Sequence, residues 1–272
     1  MILRKYHGAG NDFLLADGRD GSLCLTEDDV RRLCDRHCGF GSDGLMVLRP
    51  SDAADFRMEF YNPDGSGGMM CGNGGRCIAV FASDLGIIGD TCRFEAPDGI
   101  HEAAILSRDG RDSVVRISMR DVTQFHREGP SQWFLDTGTR HYVRFCDDID
   151  VPDLPGIARP VRYSERYAPV GVNVNLACRC DGGLRVRTYE KGVEAETLAC
   201  GTGIVATALA ARLEGLLDAD CIQVRSGFST LTVESSARPD RFTSIRLTGP
   251  VSYVGDVSCF PAHFVYLQKK QG

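Results

Sequence analysis

Two cysteines in the 272-residue sequence are each followed by the same kind of glycine-rich turn. Cys71 begins Cys-Gly-Asn-Gly and Cys200 begins Cys-Gly-Thr-Gly, and an apolar run of helical length follows each turn. A thiol has an ordinary pKa of about 8.5, and the N-terminus of a helix lowers it toward neutrality. Because one thiolate can remove a proton from a carbon while a thiol protonates its opposite face, the pair predicts inversion of a stereocentre.

The turns themselves supply the second part of this chemistry. The Gly72-Asn73 and Gly201-Thr202 amides fall in the first turn of each predicted helix, where N–H groups lack intrahelical acceptors and the dipole favours an anion. They would hold a substrate carboxylate and stabilise the charge that spreads onto it when the neighbouring C–H bond ionises. No lysine stands in a recognisable pyridoxal context. The pattern therefore predicts racemisation or epimerisation of an amino acid with no cofactor.

The two cysteine segments belong to an internal repeat. In residues 56–86 and 184–215, an alternating strand-like run ends at a tyrosine, a polar residue and a turn follow, and the helical run closes at a glycine. A second segment repeats at nearly the same offset, because the Gly10-Asn11 turn returns as Gly138-Thr139. The repeat predicts two related halves, residues 1–122 and 123–272, each carrying one of the cysteines.

The repeat also predicts the architecture that positions the thiols. Each half is expected to be α/β (α+β), with a mixed, mostly antiparallel sheet wrapped around a central helix. The helices that follow Cys71 and Cys200 have few polar faces, so they should be buried. Two pseudo-symmetric halves would direct both helix N-termini into one cleft, which is the expected active site. A short exchange of the N-terminal strand between the halves is left open.

Composition and charge limit the class of partner. Hydrophobic residues make up 43% and charged residues 25% of the chain, as in globular proteins. The N-terminus lacks the apolar core of a secretory signal, and no stretch reaches the roughly 18 apolar residues of a membrane helix. We therefore expect a cytoplasmic protein without membrane association. A net charge of −6 without a Lys/Arg run disfavours nucleic acid, so a small molecule is the expected partner.

The other ten of the twelve cysteines are expected to be reduced and inert. The sequence has no Cys-x-x-Cys, and neither the Cys34/Cys38 pair nor the Cys178/Cys180 pair has a companion His pair at zinc-finger spacing. No metal site is predicted. Residues 39–44 match Gly-x-Gly-x-x-Gly, but a polar segment precedes them, which favours a turn over a dinucleotide site.

Several of these motifs together resemble the diaminopimelate epimerase family, in family order and over nearly the whole chain. The resemblance implies a pyridoxal-independent isomerase built from two homologous halves. It would interconvert L,L- and meso-2,6-diaminopimelate in lysine and peptidoglycan precursor biosynthesis, as a homodimer. The matching segments are HGAGNDF (7–13), DRHCGFGSDG (35–44), NPDGSGGMMCGNGGRC (62–77), NVN (173–175) and YEKGVEAETLACGTG (189–203).

The resemblance also assigns roles to individual residues. Cys71 and Cys200 would be the two acid/base residues, and Asn11 and Asn62 would line the substrate site. The other implied residues bind the two ends of the substrate: Gly72, Asn73, Gly201 and Thr202 the reacting carboxylate, and Asn173, Glu190 and Lys191 the distal end, with Glu190 facing its ammonium. Each asparagine is also a common turn residue, and Glu190-Lys191 alone would suit a solvated strand end.

Two departures from the family pattern concern the substrate, not the reaction type. The family usually has arginine where this chain has Lys191, which replaces a planar fork with a point charge. It usually reads Gly-Asn-Pro-His or Gly-Ser-Pro-His where this chain has Thr139 and Arg140 before His141. Thr139 matches the family asparagine, and His141 is either a substrate contact or a structural histidine. The alternatives are a racemase or epimerase of another amino acid, or a non-catalytic binding protein on this scaffold.

Overall fold

The computed structural model describes residues 2–68, 70–150 and 153–259. These residues form two compact units, which we call unit 1 (2–115 and 251–259) and unit 2 (116–250). The described residues are mostly β, with four α-helices. Within them, no helix is both long and apolar enough to span a bilayer.

Unit 1 is a mixed sheet with two helices. Along the sheet the strands follow chain order, and the pairings alternate: β1–β2, β3–β4 and β5–β6 are antiparallel, whereas β2–β3 and β4–β5 are parallel. The elements are β1 (Ile2–Gly8), β2 (Asn11–Asp17), α1 (Glu27–Cys34), β3 (Leu45–Arg49), β4 (Phe56–Tyr61), α2 (Gly72–Asp84), β5 (Thr91–Ala96), β6 (Gly99–Asp109) and β7 (Asp112–Ser118), which ends in unit 2.

Unit 2 contains the remaining elements. They are β8 (Phe125–Gly129), β9 (Gln132–Asp136), β10 (Arg140–Phe145), α3 (Leu154–Arg162), a 3₁₀ turn (Glu165–Tyr167), β11 (Asn173–Cys180), β12 (Gly183–Glu190), β13 (Ala195–Thr197), α4 (Gly201–Leu213), β14 (Cys221–Ser226), β15 (Ser229–Arg238) and β16 (Arg241–Ser258). The sheet order is β16-β15-β14-β12-β11-β10-β9-β8, and β13 pairs with β12.

The two sheets share one pairing pattern. In unit 2, β9–β10, β11–β12 and β14–β15 are antiparallel, and β10–β11 and β12–β14 are parallel. This is the same alternation that β1 to β6 follow in unit 1. The mixed sheets that the sequence predicts are therefore present in both units, with fewer helices than the term α/β suggests.

The helices α2 and α4 follow the two cysteines and have 13 residues each. Most of their side chains are buried, as their apolar sequences predict. Both helices end at the expected glycine, since Gly86 (φ 71°) and Gly215 (φ 75°) adopt the left-handed conformation just after the last turn. The next residue in each case donates back into the helix, Ile87 to Ala82 and Leu216 to Ala211.

The last strand contributes to both units. Residues of β16 up to Pro250 belong to unit 2, whereas Ser252–Ser258 pair antiparallel with β1 in unit 1. Unit 1 is therefore discontinuous in sequence. The two-halves boundary at residue 122 stays a prediction, and the compact units change at residue 115 and again at residue 250.

Candidate active site

Cys71 and Cys200 occupy the same structural position, each as the N-cap of its helix. Their backbones are extended (φ −117°, ψ 118° and φ −108°, ψ 106°), and neither side chain makes a capping hydrogen bond to its own helix. Cys71 is partly exposed, whereas Cys200 is 6% exposed. Both thiols therefore stand at the positive end of a buried helix, beside the N–H groups of its first turn.

In unit 1, Asn11 lies against the first thiol. The Cys71 thiol donates to Asn11 Oδ1 at 3.8 Å, and Asn73 Nδ2 donates to the same oxygen at 3.3 Å. Asn11 Nδ2 donates to Asp43 Oδ2 at 2.7 Å, which fixes the orientation of the amide. The structure thus brings together three of the residues that the sequence singles out.

A charge network anchors Asn11 through Asp43. Arg36 bridges Asp12 and Asp43 at 2.7 and 2.6 Å, and Lys5 lies 2.8 Å from Asp12. Burial alone would raise the pKa of Asp12, but hydrogen bonds from Arg36 and Lys5 outweigh it and hold that pKa below its ordinary value. Two cations and two carboxylates balance, so the network fixes Asn11 without adding net charge.

Asn73 is oriented from the other side by a buried arginine. Its Oδ1 accepts from Arg76 Nη2 at 2.8 Å, which leaves its amide nitrogen directed at Asn11. Arg76 also donates to the Gly72 carbonyl at 3.2 Å and is 0% exposed. Burial lowers the pKa of this guanidinium, against the opposing influence of the Cys77 and Cys71 thiols.

Asn62 stands at the end of β4 and closes a turn. Its Nδ2 donates to Ser66 Oγ at 3.0 Å, and its carbonyl accepts from Gly65 N at 2.9 Å. The side chain is partly exposed. These contacts give Asn62 the turn role that asparagine often has, and a substrate contact stays a prediction.

In unit 2, Thr202 takes the place that Asn73 has in unit 1. Its Oγ1 lies 3.5 Å from Cys200 Sγ and 3.3 Å from Thr139 Oγ1. Its carbonyl accepts from Thr137 Oγ1 at 3.1 Å. Thr139, which the repeat equates with Asn11, therefore contacts Thr202 as Asn11 contacts Asn73. The equivalence read from the sequence extends to side-chain contacts within each unit.

His141 lies behind Thr202 and is 0% exposed. Asn175 Nδ2 donates to its Nδ1 at 3.1 Å, and its Nε2 lies 3.0 Å from both Thr202 Oγ1 and Thr139 Oγ1. Because Nδ1 accepts the hydrogen bond from Asn175, the proton of the neutral ring is on Nε2. Burial lowers the pKa of His141 to about 3, so the ring is neutral at pH 7. These contacts favour the structural histidine over the substrate contact.

The residues expected to read the distal end meet at the end of β12. Asn173 Oδ1 accepts from the Lys191 backbone amide at 2.7 Å, and its Nδ2 donates to the Arg140 carbonyl at 3.1 Å. Glu190 Oε2 accepts from Thr197 Oγ1 at 2.8 Å. Asn173 is buried, so its contacts position the backbone that carries Lys191.

Glu194 holds the loop that follows Lys191. It pairs with Arg162 at 2.7 Å, accepts from Tyr163 Oη at 2.6 Å and accepts from the Gly192 amide at 3.1 Å. Desolvation opposes ionisation, yet these donors together lower the pKa of Glu194 to about 2. The carboxylate therefore ties the loop to α3.

Sequence reasoning missed three residues that support the site: Asp43, Arg76 and Asn175. The sequence does contain a signal for Arg76 and for Asn175. A charged residue within an otherwise apolar helix marks Arg76, and the period of two in Asn-Val-Asn places Asn175 on the face of β11 that carries Asn173. Asp43 left none, because its contact with Asn11 joins distant parts of the chain.

The remaining cysteines carry no sign of chemistry. All twelve are free thiols. Burial raises the pKa of Cys77 and raises that of Cys92 to about 12, so both stay protonated at pH 7. In the described part of the chain, no group of three or more His, Cys, Asp or Glu side chains is arranged to hold a metal ion. Residues 39–44 form an irregular connection between α1 and β3, not the start of a helix.

Comparison with solved structures identifies related folds. The chain superposes on a phenazine biosynthesis protein of the PhzF family from Bacillus anthracis with a TM-score of 0.73, at 15% identity over 96% of this chain and 99% of the other. A probable proline racemase from Agrobacterium radiobacter matches with a TM-score of 0.67, at 17% identity over 96% of this chain and 93% of the other. These likenesses establish the fold.

Comparison of sequences identifies the family. The sequence model of the family named Diaminopimelate epimerase matches residues 3–123. The diaminopimelate epimerase of Flavobacterium psychrophilum is 38% identical over 93% of this chain and 98% of its own length. That of Chlorobaculum tepidum is 41% identical over 91% of this chain and 96% of its own length. The chain therefore belongs to the diaminopimelate epimerase family.

Proposed function

We propose that the chain interconverts L,L- and meso-2,6-diaminopimelate by proton transfer at the α-carbon, with Cys71 and Cys200 as the two acid/base residues. The observation that carries the proposal is the paired setting of the thiols. Each is the N-cap of a buried helix and contacts a polar side chain of its own unit. Cys71 contacts Asn11, and Cys200 contacts Thr202. The names of the relatives supply the substrate.

The mechanism needs one thiolate and one thiol at opposite faces of one α-carbon. The thiolate takes the α-proton with its own lone pair, and the electron pair of the broken C–H bond stays on the α-carbon and spreads onto the attached carboxylate. First-turn amides after Cys71 and Cys200 would bind that carboxylate and stabilise its added charge. The thiol then protonates the other face, so the product has inverted configuration and the protonation states of the two sulfurs have exchanged. No cofactor enters this scheme.

The distal end of the substrate carries the second amino acid group. We place its carboxylate at Lys191 and its ammonium at Glu190, because Glu190 ends β12, Lys191 follows it directly, and Asn173 fixes the peptide group between them. A homodimer and a cytoplasmic location remain predictions beside this assignment.

Solvent deuterium exchange tests the proposal directly. The reduced protein in deuterium oxide should place deuterium at the α-carbon of L,L- and meso-diaminopimelate, detected by mass spectrometry. Cys71→Ala and Cys200→Ala should each lower epimerisation by at least about 10²-fold, since each removes an acid/base group. Cys38→Ala, which changes an exposed thiol, is the matched control and should keep full activity. Folded wild-type protein that exchanges no α-proton contradicts the proposal.

A substrate panel separates the alternative of another amino acid. Thr139 is the reason to test this alternative. It stands where the family has asparagine, and its hydroxyl is hydrogen-bonded to Thr202 and His141. Exchange with proline or simple amino acids, but not with diaminopimelate, would move the assignment to a different racemase on the same scaffold.

A further inference from the structure

Arg76 has an environment that the proposed proton transfer does not explain. Its guanidinium is fully buried, it makes no ion pair among the described residues, and its Nε has no hydrogen-bond partner. A buried charge without a carboxylate is costly and is usually retained for a reason. Its Nη1 and Nη2 instead bond to Gly72 and Asn73, the two residues that follow Cys71.

The second half of the repeat has no such charge at the equivalent position. The position of α4 that corresponds to Arg76 is Val205, which is buried and apolar. In unit 2 the side chain behind Thr202 is His141, whose ring is neutral at pH 7. Both thiols stand at a helix N-terminus, Cys71 beside the Asn11 amide oxygen and Cys200 beside the Thr202 hydroxyl. Only α2 carries a fully buried guanidinium, because the arginine of α4, Arg212, lies in its last turn.

Other charged side chains also lie near α2 in unit 1. Against α2, Lys5 and Arg36 are balanced by Asp12 and Asp43, and His7 accepts from the Gly10 amide through Nδ1. At the far end of α2, Asp84 pairs with Arg108 and Tyr6. The apolar β3 presents no charge until Arg49, which pairs with Glu59.

Unit 2 has a lysine, not a buried guanidinium, in the neighbourhood of its thiol. Lys191 is close enough to influence His141, but Glu190 precedes it in the chain and offers an opposite charge. Arg212, at the far end of α4, pairs with Asp220. The described neighbours of α4 therefore give Cys200 no equivalent of a fully buried guanidinium.

Building on the proposed function, we infer that Arg76 is a positioning residue that orients Asn73 and makes Cys71, rather than Cys200, the thiolate of the resting enzyme. The charge lies on the helix that Cys71 caps, where low polarity strengthens its effect. Cys77, the other thiol beside Arg76, is fully buried and stays protonated. After each turnover that begins at Cys71, the proton rests on Cys71 and Cys200 is the thiolate. Loss of the Cys71 proton to solvent, together with uptake of a solvent proton by Cys200, restores the starting state.

Alkylation kinetics test this assignment without any substrate. Iodoacetamide rates at the two cysteines, measured against pH by peptide mass spectrometry, give one midpoint for each thiol. The Cys71 midpoint should lie at least about one pH unit below that of Cys200. Different access to the reagent changes the rates but not the midpoints. Equal midpoints, or a lower midpoint for Cys200, would overturn the inference.

Two variants separate charge from packing. Arg76→Met removes the charge and should raise the Cys71 midpoint by about one pH unit while the Cys200 midpoint, the control within the same molecule, stays in place. Arg76→Lys keeps the charge and should return the Cys71 midpoint most of the way. A folded Arg76→Met protein with an unchanged Cys71 midpoint would reduce Arg76 to a packing role. If Arg76→Met does not fold, the wild-type midpoints decide.

The alkylation test and the deuterium test fail independently. Absence of α-proton exchange with diaminopimelate would refute the proposed function and leave the thiol midpoints as measured. Coincident midpoints in an active epimerase would refute the role of Arg76 alone.

Discussion

The side-chain oxygen of Asn173 accepts the backbone amide of Lys191 at 2.7 Å. The first residue begins β11 and the second follows β12, so this bond ties the end of one strand to the start of the loop after its neighbour. It fixes where the Lys191 side chain leaves the backbone. A residue expected to bind substrate thus has a second task, which is to position another.

Lys191→Met should weaken diaminopimelate binding. A charged hydrogen bond contributes about 1.5–3 kcal/mol, so KM should rise about ten- to a hundredfold while kcat changes little. With free lysine as the substrate, which lacks the distal carboxylate, KM should be the same for Lys191→Met and wild type. Arg179→Met, at an exposed position of β11, is the control. Equal KM values for diaminopimelate in Lys191→Met and wild type would place the distal carboxylate elsewhere.

Lowering the pH should destabilise the protein through His141. In the folded state this ring resists protonation down to a pKa of about 3, whereas the unfolded chain takes up a proton near the ordinary value of 6.5. Between these values the unfolded state binds the additional proton. As the pH is lowered through this range, this group therefore reduces the free energy of unfolding by about 1.4 kcal/mol per pH unit.

His141→Gln should remove that dependence. Urea unfolding of the variant across about pH 4.5–7.5 should show a shallower loss of stability than wild type. The readout is the slope of stability against pH, which does not depend on the stability from which the variant starts. His37→Gln, at an exposed position, serves as the control. Parallel slopes for wild type and His141→Gln would mean that the ring is not held neutral.

Glu194→Gln should loosen the loop after Lys191. The change removes the ion pair with Arg162 and weakens the bond to the Gly192 amide, so amide hydrogen exchange over residues 191–195 should accelerate. Glu196→Gln is a matched control, since Glu196 pairs with Arg187 on β12 instead. Equal exchange in both variants would show that Glu194 does not hold the loop.

Alanine should be tolerated differently at two repeat-equivalent glycines. At Gly203 a Cβ would stand 2.6 Å from Asn175 Oδ1, a fixed oxygen that accepts from Thr188. At Gly74 the nearest atom is the Met46 sulfur at 3.0 Å, near the end of a flexible side chain. Gly203→Ala should cost about 1–3 kcal/mol of stability, and Gly74→Ala clearly less. Thermal unfolding of the two variants side by side checks this order, and a larger loss at Gly74 would reverse it.

Local signals in the sequence were enough to predict both helix starts and ends. Cys71 and Cys200 precede apolar runs, and Gly86 and Gly215 close them, because these preferences act within a few residues. The family motifs also led to Asn11 and Thr139, which the structure places beside Asn73 and Thr202.

The unpredicted features depend on contacts between distant segments. Nothing near Asn11 in the sequence indicates that Asp43 orients it, and nothing near β1 indicates that Ser252–Ser258 pair with it. The sequence-based boundary assigns the last strand to the second half. Gly249-Pro250 stands where the pairing partner of β16 changes, but the chain stays extended through this dipeptide, so the change of partner depends on the distant strand β1.

The discontinuity of unit 1 has a consequence for the order of folding during synthesis. Unit 2 is one continuous stretch, so it can complete its sheet soon after residue 250 leaves the ribosome. Strand β1 is among the first segments made, yet its partner on one side is Ser252–Ser258. The nascent chain must therefore keep one edge of β1 unpaired through most of translation, and an exposed edge is where strands from different chains can join.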